Sequence, residues 1–294
     1  MSKEIIFFGG SGFVGSYFVR KLLYNKYKVN IYDLNKPNFK HKNLKYIKGN
    51  ILDENKVFET IKKNSYVFNF AGWSDLETAS NHEQEVKKLN LDANNKILKI
   101  CKKKNVKRFV YASTLYVFSK YGGIYKESKK KAEKLIEASK VPYTNLRFGS
   151  LYGIGSKPGN AIFDILQMAI KKKKITYWGR GDEVRQYIHA RDAAKVCDQI
   201  FFEKFKNKSL LITGLEDIRM RDLLNTVKEM FDNKIEIEFD YNKRTDAHYK
   251  NTPFTIDGKD KEKPIIGEKL LFESYTDIGQ GIYELANYLI KIRE

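Results

Sequence analysis

Tyr125 and Lys129 are residues of this sequence whose types and spacing could transfer a proton. They stand at positions i and i+4, so on a helix they lie on the same face. An ammonium group beside a phenol favours the phenolate, and we therefore expect Lys129 to lower the pKa of Tyr125 from about 10 towards neutrality. Such a phenol can exchange a proton with a substrate hydroxyl. The hydroxyl of Thr114 could bind and orient the same substrate oxygen.

The Tyr-x-x-x-Lys spacing is not specific by itself, because the chain contains 19 tyrosines and is rich in lysine. A surface helix without a catalytic role would give the same spacing, and Tyr17 and Lys21 repeat it inside the first expected helix. Position favours the catalytic interpretation. The pair follows residues 108–112, an apolar strand expected to end at the ligand-binding site.

A glycine-rich loop follows the first apolar run and opens the first expected helix. It reads Gly9-Gly10-Ser11-Gly12-Phe13-Val14-Gly15. Glycines at this spacing allow a tight turn, a close approach of the backbone to a pyrophosphate, and close packing of helix on strand. The helix N-terminus then presents free N–H groups to the phosphates. The loop therefore predicts a dinucleotide-binding site.

Asp33 ends the second apolar run, at the distance from the loop that a dinucleotide site requires. A carboxylate at this position accepts hydrogen bonds from the adenosine ribose hydroxyls and repels a 2′-phosphate. Asp33 therefore indicates NAD as the cofactor, in preference to NADP.

Strands and helices alternate through the first half of the chain. Apolar runs predict strands at residues 5–8, 29–32, 46–47, 66–70, 108–112 and 143–148. Helical spacing predicts helices at residues 13–23, 57–62, 83–104 and 126–139. This alternation is typical of an α/β fold with a Rossmann-type, doubly wound parallel sheet.

The alternation is less regular after Tyr152. We expect residues 1–152 to form an NAD-binding Rossmann domain, whose sheet could also take later strands. Residues 153–294 are expected to form mostly a smaller substrate-binding lobe, interleaved with the first domain. Its expected elements are helices at 161–171 and 220–231, a strand at 210–213 and an irregular stretch at 235–273.

Composition limits the class of protein. Hydrophobic residues make up 42% of the 294 residues, which is enough for a large core. Cys101 and Cys197 are far apart and lack metal-ligand spacing, so we expect neither a disulfide framework nor a metal site. No apolar stretch is long enough for a signal sequence or a membrane span, and we expect a soluble, cytoplasmic chain with no membrane partner.

The net charge of +19 has two interpretations. One is binding of nucleic acid. The other is a solvated, lysine-rich surface, and the absence of an arginine-rich stripe or a nucleic-acid-binding motif favours it. We therefore expect no nucleic-acid partner.

Together these motifs resemble the extended short-chain dehydrogenase/reductase family, which includes the NAD-dependent nucleotide-sugar epimerases and dehydratases. The similarity covers nearly the whole chain. It implies that Thr114, Tyr125 and Lys129 are catalytic. It implies cofactor contacts from Gly9, Gly12, Phe13, Val14, Gly15, Asp33, Asn50, Ile51, Phe70, Ala71, Gly72, Asn90, Ala112, Tyr125, Lys129 and Phe148.

The same resemblance implies substrate contacts from Thr114, Ser150, Tyr177 and Arg185. Arg185 lies in a motif similar to the family's substrate-lobe signature, where the arginine binds the nucleotide diphosphate. A guanidinium fork suits that geometry. The resemblance also implies a homodimer formed through the helices at 83–104 and 126–139.

Three departures from the family pattern matter. The connection from Thr114 to Tyr125 is short. Leu115 and Tyr116 stand where sugar 4,6-dehydratases carry an Asp-Glu pair, and without those carboxylates water elimination lacks its proton shuttle. The C-terminal third does not follow the better-known members, so the base and the sugar stay open.

We expect a nucleotide-sugar 4-epimerase that oxidises a sugar hydroxyl transiently, with tightly bound NAD and a nucleotide-diphosphate sugar as substrate. The alternative is a nucleotide-sugar dehydrogenase or keto-sugar reductase that stops at the half-reaction. A third reading, prompted by the charge, is a non-catalytic dinucleotide sensor or a nucleic-acid-binding protein.

Overall fold

The structure is a computed structural model that describes residues 3–241, 248–256 and 266–293. The described strands, β1 to β14, are Glu4–Phe8, Lys28–Asp33, Leu44–Lys48, Tyr66–Asn69, Arg108–Thr114, Tyr143–Phe148, Ser150–Tyr152, Lys174–Trp178, Val184–Arg185, Tyr187–His189, Lys208–Ile212, Ile218–Arg219, Glu236–Asp240 and Glu268–Lys269. The described α-helices, α1 to α9, are Phe13–Tyr24, Glu54–Thr60, Glu83–Lys87, Ala93–Lys103, Gly123–Ala138, Ala161–Lys172, Ala190–Ala193, Met220–Met230 and Ile278–Lys291.

Eight strands form one parallel sheet in the order β14-β11-β6-β5-β4-β1-β2-β3. The strand order reverses between β1 and β4, and in such sheets ligands bind beyond the carboxyl ends of the strands at this point. The doubly wound α/β fold expected from the sequence is confirmed. Two later strands, β11 and β14, extend the sheet on the side of β6.

Both faces of the sheet are buried, because successive side chains of a strand point to opposite faces. Along β1, Ile5 and Phe7 pack into one apolar cluster and Ile6 and Phe8 into another. The first cluster includes residues of α1, and the second includes residues of α4. The glycine-rich loop after β1 is therefore held between two packed layers.

A third apolar cluster forms the core of a smaller lobe. It draws on α6, α8 and α9, with Leu166, Leu224 and Leu285 among its buried residues. Helix α9, which the sequence patterns did not predict, begins where the Asp277 side chain accepts a hydrogen bond of 2.8 Å from the Gln280 backbone N–H. No helix in the described ranges is both long and apolar enough to cross a membrane.

The expected helix over 83–104 is interrupted. Residues Lys88–Asp92 form a π-helical turn between α3 and α4. In the stretch expected to be irregular, β13 pairs with β8 and β14 with β11, while residues 242–247 and 257–265 lie outside the described part. Strand β5 runs two residues further than expected and ends at Thr114. Helix α5 begins at Gly123, so it includes Tyr125 in its first turn.

Candidate active site

The loop between β1 and α1 can be built only with glycine at two of its positions. Gly9 has a φ of +78°, and a Cβ there would lie 2.6 Å from the Ala71 backbone nitrogen. A Cβ on Gly15 would lie 2.1 Å from the Gly9 carbonyl oxygen. No side chain among the described residues caps α1, which begins at Phe13 and Val14 with Gly12 as its N-cap. Its first-turn N–H groups are therefore suited to a phosphate ligand.

Asp33 lies beside this loop. Its Oδ2 accepts a hydrogen bond of 3.0 Å from the Ser11 backbone N–H, and its Oδ1 accepts one of 3.0 Å from Asn35. The Ser11 hydroxyl is buried and has no hydrogen-bond partner within the described residues. A buried hydroxyl of this kind requires a partner, and a bound phosphate would supply one. The loop, Asp33 and Ser11 together fit a dinucleotide.

Asn50 and Ile51, two of the expected cofactor contacts, lie in a turn after β3. Asn50 Oδ1 accepts a hydrogen bond of 3.0 Å from Leu52 N–H, and the Asn50 carbonyl accepts one of 2.9 Å from the Tyr32 hydroxyl. Ile51 is buried in the same apolar cluster as Tyr32. The side chain of Asn50 is thus used within its own turn, and the turn is tied to the end of β2.

The segment after β4 passes under the candidate cofactor site. Phe70 packs against the ring of Phe7 in β1, with 4.9 Å between centroids, and Ala71 N–H donates 3.2 Å to Asn69 Oδ1. Gly72 has a φ of +154°, and a Cβ there would lie 2.5 Å from Asn90 Oδ1. The backbone here is therefore drawn close to Asn90.

Asn90 belongs to the π-helical turn and is fully buried. Its Oδ1 accepts a hydrogen bond of 2.8 Å from Trp73 N–H, and its Nδ2 donates to the Trp73 carbonyl and, at 3.0 Å, to Ser128 Oγ. π-helical turns often occur at functional sites. Here the turn directs the side-chain amide of Asn90 towards both the loop after β4 and helix α5. Asn90 therefore positions the loop that carries Ala71 and Gly72.

The three expected catalytic residues are brought together at the carboxyl edge of β5. The Thr114 hydroxyl interacts with the Tyr125 phenol, an interaction that lowers the pKa of Tyr125. Lys129 is buried one turn along α5, with Nζ donating 2.9 Å to the Ala112 carbonyl and lying 5.9 Å from the centroid of the Tyr125 ring. The arrangement places a phenol, a hydroxyl and an ammonium group in one small region.

The expected effect of Lys129 on Tyr125 is wrong in this structure. Burial raises the pKa of Tyr125 to about 12, and the interaction with Thr114 acts in the opposite direction without reversing it. Burial also lowers the pKa of Lys129 to about 8, opposed by the nearby charge of Glu133. The reason is geometric, because the ammonium group donates to the Ala112 carbonyl while desolvation penalises the charged form of both side chains.

A buried ion pair lies behind these residues. Arg147, in β6, donates from Nε and Nη2 to the two carboxylate oxygens of Glu133, at 3.0 and 2.7 Å. Ser113 Oγ donates to Glu133 Oε1 at 2.5 Å. Phe148, the next residue of β6, packs against the rings of Phe70 and Phe18. This ion pair and this packing fix the ends of β5 and β6. Ala112 and Thr114 lie at the end of β5.

A cavity of about 540 Å³ opens at the loop that follows Thr114, where Leu115 and Phe118 line it. It is lined by Leu115, Phe118, Val184, Gln186, Leu211, Thr213, Asp217, Tyr249, Asn251, Thr252, Pro253, Phe254, Ile266, Gly267 and Lys269. Apolar side chains of the loop after β5 form one wall, and polar groups of the smaller lobe form another. Such a mixture suits a ligand with both apolar and polar parts.

Arg185 lies between two cavity-lining residues, Val184 and Gln186. Its guanidinium carbon is 4.3 Å from the centroid of the Tyr249 ring, and Nη1 donates 3.1 Å to the Lys250 carbonyl. Stacking and this hydrogen bond hold the guanidinium at the cavity.

The residues that line this cavity include none of the four expected substrate contacts; Thr114 and Arg185 each adjoin a lining residue in the chain, and Ser150 and Tyr177 do not. Ser150 begins β7, next to Gly149, and is partly buried. The Tyr177 hydroxyl bonds Glu183 Oε2 at 3.1 Å, and its ring packs near Phe239. Both residues lie in the lobe that supplies the cavity's polar wall, and their expected substrate contacts stay predictions.

Sequence reasoning did not find several cavity residues. Lys269 Nζ donates 3.0 Å to the Gly214 carbonyl and lies 3.4 Å from Gln186 Oε1, while Gln186 Nε2 donates 2.9 Å to Asp217. These residues come from three separate segments without a shared motif. The one sequence feature that could have indicated them is the run Thr252-Pro253-Phe254, which does not match the better-known members of the family.

Comparisons with known proteins agree with this geometry. A model of the "NAD dependent epimerase/dehydratase family" matches residues 5–209. A Bacillus subtilis protein described as an uncharacterized UDP-glucose epimerase is 24% identical over 272 residues, covering 80% of this chain and 84% of that protein. A dTDP-D-glucose 4,6-dehydratase of Dictyostelium discoideum is 25% identical over 246 residues, covering 67% of this chain and 55% of that protein.

The fold resembles that of a UDP-glucose 4-epimerase from Thermotoga maritima, solved with UDP-glucose. The TM-score is 0.79, with 21% identity over 99% of this chain and 100% of that one. The family match covers most of the chain and includes the dinucleotide loop, the Thr114–Tyr125–Lys129 group and Arg185. The protein therefore belongs to the NAD dependent epimerase/dehydratase family, and it is an NAD-dependent enzyme.

Proposed function

We propose that the protein is an NAD-dependent nucleotide-sugar 4-epimerase. The observation that carries this proposal is the grouping of Thr114, at the end of β5, with Tyr125 and the buried Lys129 in α5, whose Nζ donates 2.9 Å to the Ala112 carbonyl. The loop between Thr114 and Tyr125 supplies Leu115 and Phe118 to a cavity suited to a second ligand, and the glycine-rich loop is suited to a dinucleotide. A sugar hydroxyl held there would meet a proton acceptor on the protein and a hydride acceptor on the cofactor.

Each residue has a distinct task. Tyr125 takes the proton of the sugar hydroxyl, Thr114 binds and orients that oxygen, and Lys129 holds the nicotinamide ribose and adds positive charge behind the phenol. NAD, when bound, would supply the hydride acceptor and, in its oxidised form, a positive charge. Burial raises the pKa of Tyr125 to about 12 and Thr114 opposes this rise, so the positive charge of oxidised NAD would be needed to help the phenol release its proton.

Epimerisation requires the oxidised sugar to turn over and be reduced on its other face. Leu115 and Tyr116 follow Thr114 where a dehydratase would carry its acidic pair, which argues against elimination of water. The uncharacterized Bacillus subtilis relative described as a UDP-glucose epimerase supports the same reaction. Product analysis distinguishes an epimerase from an enzyme that stops at the ketone.

The cavity supports a nucleotide diphosphate as the non-reacting part of the substrate. Lys269 lines the cavity, and Arg185 stacks on the ring of Tyr249, which also lines it. Both carry positive charge, which a diphosphate requires. Gln186 and Asp217, joined by a hydrogen bond, offer donors and acceptors to a base or a ribose.

The test uses UDP-glucose, UDP-N-acetylglucosamine and dTDP-glucose as substrates, with products resolved by proton NMR. We expect interconversion at C4 without net production of NADH. Tyr125→Phe should lower the rate by about 10²- to 10⁴-fold, because proton transfer by a positioned side chain contributes that much. Tyr283→Phe, an exposed tyrosine on α9, is the matched control and should leave the rate unchanged.

Three results decide the proposal. Near-full activity of Tyr125→Phe would overturn the mechanism. Production of NADH in proportion to the oxidised sugar would show that the protein is a dehydrogenase and not an epimerase. Mass spectrometry of small molecules released from the denatured protein should find NAD or NADH, and no dinucleotide would contradict tight binding.

A further inference from the structure

Tyr116 is a residue of the active-site loop that the proposed reaction does not use. Its backbone N–H donates 3.3 Å to Thr114 Oγ1, so it is fixed directly to a catalytic hydroxyl. Its ring lies 5.3 Å from the ring of Tyr249 in the smaller lobe. The loop that carries Thr114 is therefore in contact with the segment 248–256, which we call the wall segment because it lines the cavity.

A hydrogen-bonded chain runs from Tyr116 to a third part of the protein. The Tyr116 hydroxyl bonds His248 Nδ1, and His248 Nε2 bonds Glu77 Oε1 at 2.5 Å. The bond with His248 holds the pKa of the Glu77 carboxyl below its usual value, so Glu77 is an ionised acceptor. His248 then donates from Nε2 to Glu77. In the tautomer that carries its proton on Nε2, Nδ1 accepts a hydrogen bond from the Tyr116 hydroxyl.

The wall segment is joined to the active-site loop at further points. Thr255 N–H donates 3.1 Å to the Phe118 carbonyl, and Lys120 N–H donates 3.2 Å to Thr255 Oγ1. The rings of Phe118 and Phe254 lie 4.9 Å apart. The chain through Tyr116 anchors the beginning of the segment, and these contacts anchor its end.

The anchored beginning of the wall segment is also what holds Arg185. Tyr249 lies under the guanidinium, and the Lys250 carbonyl accepts from Arg185 Nη1 at 3.1 Å and from Val184 N–H at 2.8 Å. Both of these residues follow His248 directly. A displacement of His248 would therefore displace the surface on which Arg185 rests.

We propose that Tyr116, His248 and Glu77 form a clasp that fixes the wall segment to the active-site loop and thereby positions Arg185 for the substrate diphosphate. The inference rests on the proposed nucleotide-sugar function, because it assigns Arg185 to a diphosphate. All three are positioning residues, since they act through the wall segment. The clasp links the catalytic loop, the loop after β4 and the smaller lobe.

The experiment compares Tyr116→Phe and His248→Ala with the wild-type protein by amide hydrogen exchange and by calorimetric titration with UDP, dTDP and GDP. Exchange in residues 248–256 should be roughly 3- to 10-fold faster in both variants, as expected for the loss of one hydrogen bond. The affinity for the preferred nucleoside diphosphate should fall by a similar factor. The amount of bound NAD should not change, because the clasp does not touch the dinucleotide loop.

Two matched variants and one double variant complete the design. Tyr283→Phe and His41→Ala remove the same groups far from the clasp and should leave both measurements unchanged. Tyr116→Phe/His248→Ala should be no more affected than the worse single variant, because partners in one contact are not additive.

Wild-type exchange in both single variants would overturn the clasp. Faster exchange with unchanged nucleotide affinity would overturn its effect on Arg185. If the wild-type protein binds none of the three nucleotides, the proposed function fails, and the exchange rates alone then decide whether the clasp exists.

Discussion

Arg147 donates hydrogen bonds to both carboxylate oxygens of Glu133. The shortest contact is 2.7 Å, and the two side chains are 3% and 6% exposed. The pair joins β6 to α5 directly behind Tyr125 and Lys129. Breaking a buried pair leaves one charge without compensation, which is far more costly than losing an exposed pair. The position of α5, which carries Tyr125 and Lys129, therefore depends on this buried pair.

Arg147→Met should lower the free energy of unfolding by about 3–5 kcal/mol, because Glu133 would stay buried without its partner. Chemical denaturation followed by circular dichroism measures the change. Arg191→Met is the matched control, since Arg191 pairs with Glu284 at the surface and its loss should cost at most about 1 kcal/mol. Equal effects of the two substitutions would contradict the prediction.

Lys129→Met should change how stability depends on pH. Burial lowers the pKa of Lys129 from 10.5 to about 8, so the unfolded chain binds more protons between these values. Below pH 8 the buried charge of Lys129 lowers the free energy of unfolding by about 3 kcal/mol at most. This loss disappears as the pH rises towards 10.5, because Lys129 is then neutral in the folded protein and loses its proton in the unfolded chain too. The methionine variant has no such recovery.

The measurement is the difference in unfolding free energy between Lys129→Met and the wild-type protein at pH 7.5, 8.5 and 9.5. We expect the difference to move in favour of the wild type as the pH rises. Lys102→Met, an exposed lysine of α4, controls for the other groups that titrate in this range. A difference that does not vary with pH would show that Lys129 titrates normally.

Asp33→Ser should relax the preference for NAD. Asp33 receives backbone N–H groups from Ser11 and Asn35, so its carboxylate is held next to the dinucleotide loop, where it would repel a 2′-phosphate. Removing the charge should raise the NADP to NAD ratio by roughly 10-fold, equivalent to about 1.4 kcal/mol.

Mass spectrometry of dinucleotides released after incubation with equal NAD and NADP gives this ratio. Asp53→Ser, which removes a carboxylate at the N-cap of α2 and leaves a hydroxyl able to cap the helix, is the control and should leave the ratio unchanged. An unaltered ratio in Asp33→Ser would mean that another group reads the ribose.

Gly15→Ala should abolish NAD retention. The added Cβ would lie 2.1 Å from the Gly9 carbonyl oxygen, so the loop and α1 must move apart. We expect a loss of about 1–3 kcal/mol in stability, as for other overpacked sites. Gly279→Ala, in α9 without a positive φ, is the control and should retain both stability and NAD. NAD bound at the wild-type level by Gly15→Ala would contradict the assignment of the loop.

The dinucleotide half of the site could be predicted from sequence because its physics is local. Gly9, Gly15 and Asp33 belong to a strand, a turn and a second strand that are close in the chain, and each has a steric or charge requirement that only one residue type meets. The grouping of Thr114, Tyr125 and Lys129 was likewise predicted, because they bracket the end of β5 and the start of α5.

Interactions between distant segments could not be predicted. The direction of the Tyr125 pKa depends on how deeply the phenol is buried and on where the Lys129 ammonium points, and neither is encoded in an i, i+4 spacing. The cavity wall at 248–256 and Lys269 lack periodicity. Arg147 and Glu133 look like ordinary charged residues until the fold brings them together.

The π-helical turn at Lys88–Asp92 sets a rule for how this region can change in length. Relative to a regular helix, such a turn holds one extra residue, and each residue rotates a helix by about 100°. Deleting one residue from the turn would swing either Asn90 away from Trp73 and Ser128, or the apolar face of α4 away from the sheet. Substitutions on the outer surface of this helix should therefore destabilise the protein far less than a single-residue deletion. The number of residues between the two halves of the helix is thus a structural requirement of the candidate active site.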